Sequence, residues 1–161
     1  MIKIGDTVPD ATLYEMGESG GPAPVKVAEA VKGKKIAVFG LPGAFTPTCS
    51  AKHVPGFVEA HGALAAKGVD EIWCTAVNDA FVMGAWGQNQ KAEGKVRMMG
   101  DGSAEWTKAM GLELDLIARG MGVRSQRFSM LLEDGKVTQF NLEEGGGYEV
   151  SDAQTLLKQI S

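Results

Sequence analysis

A chain of 161 residues, 44% of them apolar and 22% charged, can bury a sizeable core without disulfide staples, and a single domain over residues 1–161 is expected. A formal net charge of −4 speaks against a basic nucleic-acid footprint and against a polybasic membrane patch. No apolar run approaches bilayer-spanning length, and the start Met1-Ile2-Lys3-Ile4-Gly5-Asp6 lacks the apolar stretch of a secretory signal, so a cytoplasmic protein is expected.

Residues 8–15 read as a short extended piece, 17–24 as a Gly/Pro/Ser loop and 25–31 as a short helix. The apolar run 36–41 reads as a buried strand. Residues 50–67 carry Val54, Phe57, Val58, Leu64 and Ala65 at helical spacing, and Gly68 ends that helix. Pro55 and Gly56 lie inside it, and Pro55 implies a kink or boundary. A second core strand spans 71–78. A helix follows over 80–90, with Asp79 as its cap and Phe81, Val82, Ala85 and Trp86 spaced to bury one face.

Residues 96–101 form a short strand and turn, and 104–110 a short helix stopped by Gly111. The strand 127–132, the turn Glu133-Asp134-Gly135-Lys136 and the strand 137–142 make the clearest hairpin in the chain. After the break Gly145-Gly146-Gly147, Ser151 reads as the N-cap of a last helix that buries Ala153, Leu156, Leu157 and Ile160. This order predicts an α/β domain of thioredoxin-like fold, with a central mixed sheet and helices on both faces.

The chemistry centres on Pro42-Gly43-Ala44-Phe45-Thr46-Pro47-Thr48-Cys49, between the first core strand and the following helix. Pro47 suits a helix start, so Cys49 falls in the first turn. Free N–H groups and the helix dipole favour a thiolate there. A buried structural cysteine also suits the position. The Thr46 hydroxyl can donate to an oxygen held against the sulfur and accept from a substrate hydroxyl, or it simply caps the helix. Pro42 either walls the pocket or merely ends a strand.

A positive group would stabilise the thiolate and polarise a leaving oxygen. Arg127 and Arg124 are both candidates, with Arg127 abutting its strand more closely, and either one reads equally as a surface charge. His53, four residues after Cys49, lies on the same helix face. It can serve as a base, shape the pocket, or be a satisfied helix histidine. Cys74 reads as a buried core thiol. The two cysteines and two histidines of the chain, the latter His53 and His61, form no zinc-like spacing, so no metal or bound cofactor is expected.

Pro42, Thr46 and Cys49, in the pattern Pro-x-x-x-Thr-x-x-Cys, resemble the peroxiredoxin signature. Phe45, Ser50, His53, Pro55, Gly56, Phe57, the stretches 77–82 and 91–96, Trp86 and Arg127-Phe128-Ser129-Met130 resemble the peroxiredoxin 5 or type II group. The likeness runs from about Gly5 to the last helix. It implies that Cys49 is the peroxidatic nucleophile and passes through a sulfenic acid. It also implies that Thr46 and the Cys49 N–H hold the peroxide, that Arg127 stabilises charge and that Pro42 excludes water.

The animal-type resolving cysteine is missing from residues 147–151, whereas Cys74 matches a second cysteine found in plant and bacterial members. The resemblance therefore implies reduction by glutathione with glutaredoxin, or by thioredoxin, and the preferred cycle uses one cysteine rather than a Cys49–Cys74 disulfide. It further implies a homodimer, for which Phe45 and residues 81–86 are contact candidates. A peroxide-responsive redox sensor, or thiol-dependent binding protein, of the same fold is the alternative function.

Overall fold

The computed structural model describes residues 1–160. In chain order the elements are β1 (Thr12–Met16), β2 (Pro22–Lys26), α1 (Val27–Ala30), β3 (Lys35–Gly40), a π-helical turn (Cys49–His53) that runs into α2 (Val54–Ala66), β4 (Glu71–Ala76) and α3 (Ala80–Asn89). There follow β5 (Arg97–Gly100), α4 (Glu105–Ala109), β6 (Glu113–Leu116), β7 (Gly122–Ser125), β8 (Phe128–Glu133), β9 (Lys136–Leu142) and α5 (Ala153–Gln159).

The main sheet has the order β2-β1-β5-β4-β3-β8-β9. The β3–β4 and β4–β5 pairs are parallel, and β8 runs antiparallel to β3. The central strands are apolar almost without interruption because both faces are covered. Ala37, Phe39 and Leu41 join one buried cluster with α2, α3 and α5, while Ile36 and Val38 join the other with α1 and α4. Helices thus cover both faces of a mixed sheet, as expected. The turn Asp134-Gly135 has φ of 52° and 78°, the positive pair of a tight β-hairpin turn, and it connects β8 to β9 as expected. Among the described residues no helix is long and apolar enough to cross a membrane.

Five details differ from the sequence-based expectation. Part of the 17–24 loop is β2, an edge strand that tolerates Pro22 and Pro24 because it pairs on one side only, with β1. Residues 113–125 include the β6–β7 hairpin, whose strands are short and largely half-exposed and so lack a strong apolar pattern. The buried positions of α3 are Ala80, Met83, Trp86 and Gly87, so of the four expected residues only Trp86 is buried, while Val82 is half-buried, Ala85 is exposed and Phe81 is 59% exposed. The close approach of Met16 to Gly84 and of Met98 to Gly87 turns the glycine-bearing side of this helix inward. Asp79 does cap α3, accepting from the Val82 N–H at 2.8 Å. Asp152, rather than Ser151, caps α5, accepting from the Thr155 N–H at 3.1 Å. Ser151 is buried and engaged elsewhere.

The fifth difference shapes the site. Helical backbone begins at Pro47, widens to a π-turn at Cys49–His53 and then becomes α2. The Val54 N–H reaches back to the Cys49 carbonyl, one residue further than in an α-helix. Pro55 has no N–H to donate, and its ring would collide with the carbonyl four residues earlier in regular α geometry. A wider turn directly before it relieves that collision.

Candidate active site

The site lies where β3 and β4 end. β3 hands the chain to the loop 41–46, and in the first helical turn the N–H groups of Thr48 and Cys49 have no carbonyl within the helix to reach. The Ala44 N–H donates to Asn78 Oδ1 at 2.9 Å, so the end of β4 holds the loop. Phe45 takes φ 63°, a left-handed conformation costing a bulky residue on the order of 1–2 kcal/mol. Its ring is 54% exposed and stands 6.3 Å from that of Trp86. The Trp86 Nε1–H donates to Ser50 Oγ at 3.0 Å, which ties α3 to the residue after Cys49. The contacts that Asn78 and Trp86 make with the Cys49 loop depend on strand order, so the sequence signals only their positions, Asn78 at a strand end and Trp86 on the buried face of a helix.

Cys49 is fully buried. Arg127 Nη2 donates to its sulfur at 3.1 Å, and Arg127 Nη1 lies 2.9 Å from His53 Nδ1. The sheet brings these groups together across 78 residues of sequence. Gly40 at the end of β3 pairs with Phe128 at the start of β8, so Arg127, the residue before Phe128, emerges beside the Cys49 loop. Gly40 is needed for this register, since a Cβ there would sit 2.1 Å from Phe128 Cε1. Gly40→Ala is expected to cost about 1–3 kcal/mol through overpacking and to draw Arg127 away from the Cys49 sulfur by displacing the start of β8. Urea unfolding and the Arg127–Cys49 distance in a crystal structure of the variant check both effects.

His53 is fully buried against Phe39, Phe57 and Tyr148, with ring centroids 4.8, 5.8 and 5.3 Å away. Its Nε2 lies 2.9 Å from the Ser151 carbonyl oxygen. The carbonyl can only accept, so the ring proton sits on Nε2 and Nδ1 accepts from Arg127. Burial, reinforced by the Arg127 charge, pushes the His53 pKa down to about 3. His53 is therefore neutral at physiological pH and presents its free nitrogen to the arginine, not to the thiol. Of the roles open in the sequence, the geometry speaks against the base and fits the satisfied helix histidine, both ring nitrogens being engaged.

This burial has a consequence for stability. The folded value of about 3 lies below the ordinary 6.5, so between these limits the unfolded chain takes up a proton that the folded chain refuses. Stability falls as pH drops through that window, by up to ~1.4 kcal/mol per pH unit for this one group. Glu71 adds a second loss at lower pH. Burial opposes its charge, but Lys34, Trp73 and Arg97 more than offset this and take it from 4.5 to about 2. Its contribution is complete above 4.5 and fades toward 2. Urea unfolding between pH 6.5 and 4.5 is expected to show a shallower slope in His53→Gln than in the wild type. Equal slopes would remove His53 as the source.

The other sequence candidates are placed as follows. Thr46 Oγ1 donates to the Gly43 carbonyl at 2.7 Å. The donating half of its expected role is thus taken up inside the loop, and its lone pairs remain to accept from a substrate O–H. Pro42 is half-buried, and its carbonyl accepts from Arg124 Nη1 at 3.3 Å. Arg124 also donates from Nε to the Met121 carbonyl at 2.8 Å, so it braces the loop rather than reaching the sulfur. Cys74, in β4, is fully buried and shares a cluster with Cys49. Burial raises its pKa, the Cys49 charge raises it further and Arg127 opposes, leaving it well above the ordinary value. Both cysteines are free.

A Redoxin family model matches residues 3–157. Peroxiredoxin-2B of Arabidopsis thaliana is 51% identical over 159 residues, spanning 99% of this chain and 98% of that protein. The reduced Prx3 of Vibrio vulnificus, solved in complex with H2O2, superposes with a TM-score of 0.96 at 46% identity over the whole of both chains. Peroxiredoxin 5 of Alvinella pompejana superposes with a TM-score of 0.87 at 33% identity, covering 99% of this chain and 98% of that one. The family model spans nearly the full chain and Peroxiredoxin-2B shares about half its residues with it, so the chain belongs to the Redoxin family and, within it, is a peroxiredoxin, a thiol peroxidase of thioredoxin-like fold.

Proposed function

We propose that Cys49 carries out peroxide reduction as a thiolate and is regenerated by glutathione, with glutaredoxin acting in trans. The observation that carries this reading is the Arg127 guanidinium donating at 3.1 Å to a fully buried Cys49 sulfur at a helix start, where such interactions gain strength. The sulfur attacks the terminal oxygen of a hydroperoxide. An S–O bond forms, the O–O bond breaks, and the other oxygen leaves with the electron pair to become water or an alcohol on taking up a proton. Sulfur is oxidised to sulfenic acid, the reversible rung of its oxidation ladder. Thr46 accepts the peroxide O–H, the Cys49 N–H and Arg127 stabilise the oxygens, and Pro42 shields the pocket from water.

The reductive half follows from the thiols present. Cys74 is fully buried and its thiol holds its proton, which makes it a poor attacking group. Glutathione attacks the sulfenic sulfur, releases water and leaves a mixed disulfide, and a glutaredoxin thiol then resolves it. Two exposed aromatic rings, Phe45 and Phe81 (54% and 59%), support a homodimer formed through this end of the molecule.

Intact mass after one equivalent of peroxide and then glutathione tests the cycle. One glutathione on Cys49, in the wild type and in Cys74→Ser alike, is the expected result. An internal disulfide, lighter by two hydrogens and lost in Cys74→Ser, would overturn the one-cysteine route.

A further inference from the structure

We infer that Glu143 is a positioning residue for peroxide reduction: its carboxylate fixes the Ser151 carbonyl, which orients His53, which in turn aims the Arg127 guanidinium at the Cys49 sulfur. This rests on Cys49 and Arg127 carrying the chemistry, and it adds residues that make no contact with the sulfur.

The linkage runs without a gap. Glu143 is 6% exposed. Its Oε2 accepts from the N–H groups of Glu149, Val150 and Ser151 at 2.9, 2.9 and 2.7 Å, and from Ser151 Oγ at 2.7 Å. Burial opposes the charge, but the Ser151 hydroxyl and these three amides more than offset it and hold the carboxyl below its usual range. The segment so gathered follows Gly145-Gly146-Gly147 and belongs to no strand or helix. A single carboxylate therefore sets the path of its backbone.

Ser151 then offers its carbonyl to His53 Nε2, which selects the tautomer with a free Nδ1. That nitrogen accepts from Arg127 Nη1. A guanidinium is a rigid planar fork. With Nη1 held by His53, Nη2 is left directed at Cys49 Sγ. The loop closes on itself, because the Glu143 N–H donates to the Arg127 carbonyl at 3.0 Å. Glu143 thus holds Arg127 by its backbone at one end and, through Ser151 and His53, by its side chain at the other.

A glutamine at this position keeps the shape but gives up the charge-assisted hydrogen bonds, each worth about twice a neutral one. Glu143→Gln is expected to lower the single-turnover rate with hydrogen peroxide about tenfold, and Ser151→Ala, which removes one of the bonds, about threefold. The decisive readout is a double-mutant cycle with Arg127→Ala. In that background either substitution should cost less than twofold, since there is no guanidinium left to aim. A purely structural role would give the same loss in both backgrounds, and that outcome, or an unchanged rate in otherwise wild-type protein, overturns the inference. Ser151→Ala carries the cycle if Glu143→Gln does not fold. Full activity in Cys49→Ser would instead remove the reading of the site itself, which keeps the two failures distinct.

Discussion

Cys49→Ser is expected to bring peroxide consumption by the reduced protein to the uncatalysed background, a loss on the order of 10⁴-fold or more. The step needs a polarisable, anionic nucleophile whose product is a stable two-electron oxidation state. A serine hydroxyl stays protonated near neutral pH and has no counterpart to the sulfenic acid. Nothing else at the site can substitute, because Cys74 lies fully buried in β4 with its thiol protonated and His53 Nδ1 is engaged with Arg127. Stoichiometric consumption of hydrogen peroxide by pre-reduced protein measures this without reference to the reductant. Serine fills nearly the same buried volume, so the circular dichroism spectrum should not change. Substantial consumption by this variant would move the chemistry away from Cys49.

Arg127→Ala is expected to lower the same rate by about 10²–10³-fold, the scale of removing a preorganised donor from a developing negative charge. Negative charge moves in the reaction from sulfur to the departing oxygen, and the guanidinium lies beside the start of that path at 3.1 Å. If its work is on the transition state as well as on the thiolate, raising the pH until the thiol is fully ionised will not restore the rate. Arg127→Lys should recover only part of the loss, because a lysine is a point charge and cannot span the sulfur and His53 Nδ1 together. A deficit of threefold or less, or full rescue at high pH, would reduce the arginine to an aid for ionisation. The variant also leaves the His53 nitrogen without its donor and relieves it of a neighbouring positive charge, so His53 should take up a proton at higher pH than in the wild type.

Much of the scaffold was legible because its signals are local. The apolar runs of β3 and β4, the Asp134-Gly135 turn and the Asp79 cap all appear within a few residues of sequence. Cys49 at a helix start belongs to the same class, being a property of one short stretch. The errors arose where the deciding contact was distant. Phe81 fits a helical apolar face beside Trp86, yet the sheet accepts Met83 with Trp86 and leaves Phe81 exposed. Ser151 fits an N-cap, but the Glu143 carboxylate claims its hydroxyl and N–H and leaves Asp152 as the cap. β6 and β7 are short, partly exposed strands with too little apolar alternation to announce themselves.

By itself, then, the sequence determined the layered α/β class, the cysteine at a helix start and, through the resemblance of its flanking residues, the family. Residue spacing left Arg124 and Arg127 both open, three residues apart, and only the resemblance singled out Arg127. The physical reason lies in the antiparallel pairing of β3 with β8, which puts Arg127 beside the sulfur and leaves Arg124 bracing the carbonyl of Pro42. The role of His53 was decided in the same way, by a carbonyl 98 residues away that claims its ring proton. A helix start favours a thiolate through its own backbone, whereas the aim of a guanidinium depends on every strand and loop that holds it, and only the folded chain brings those together.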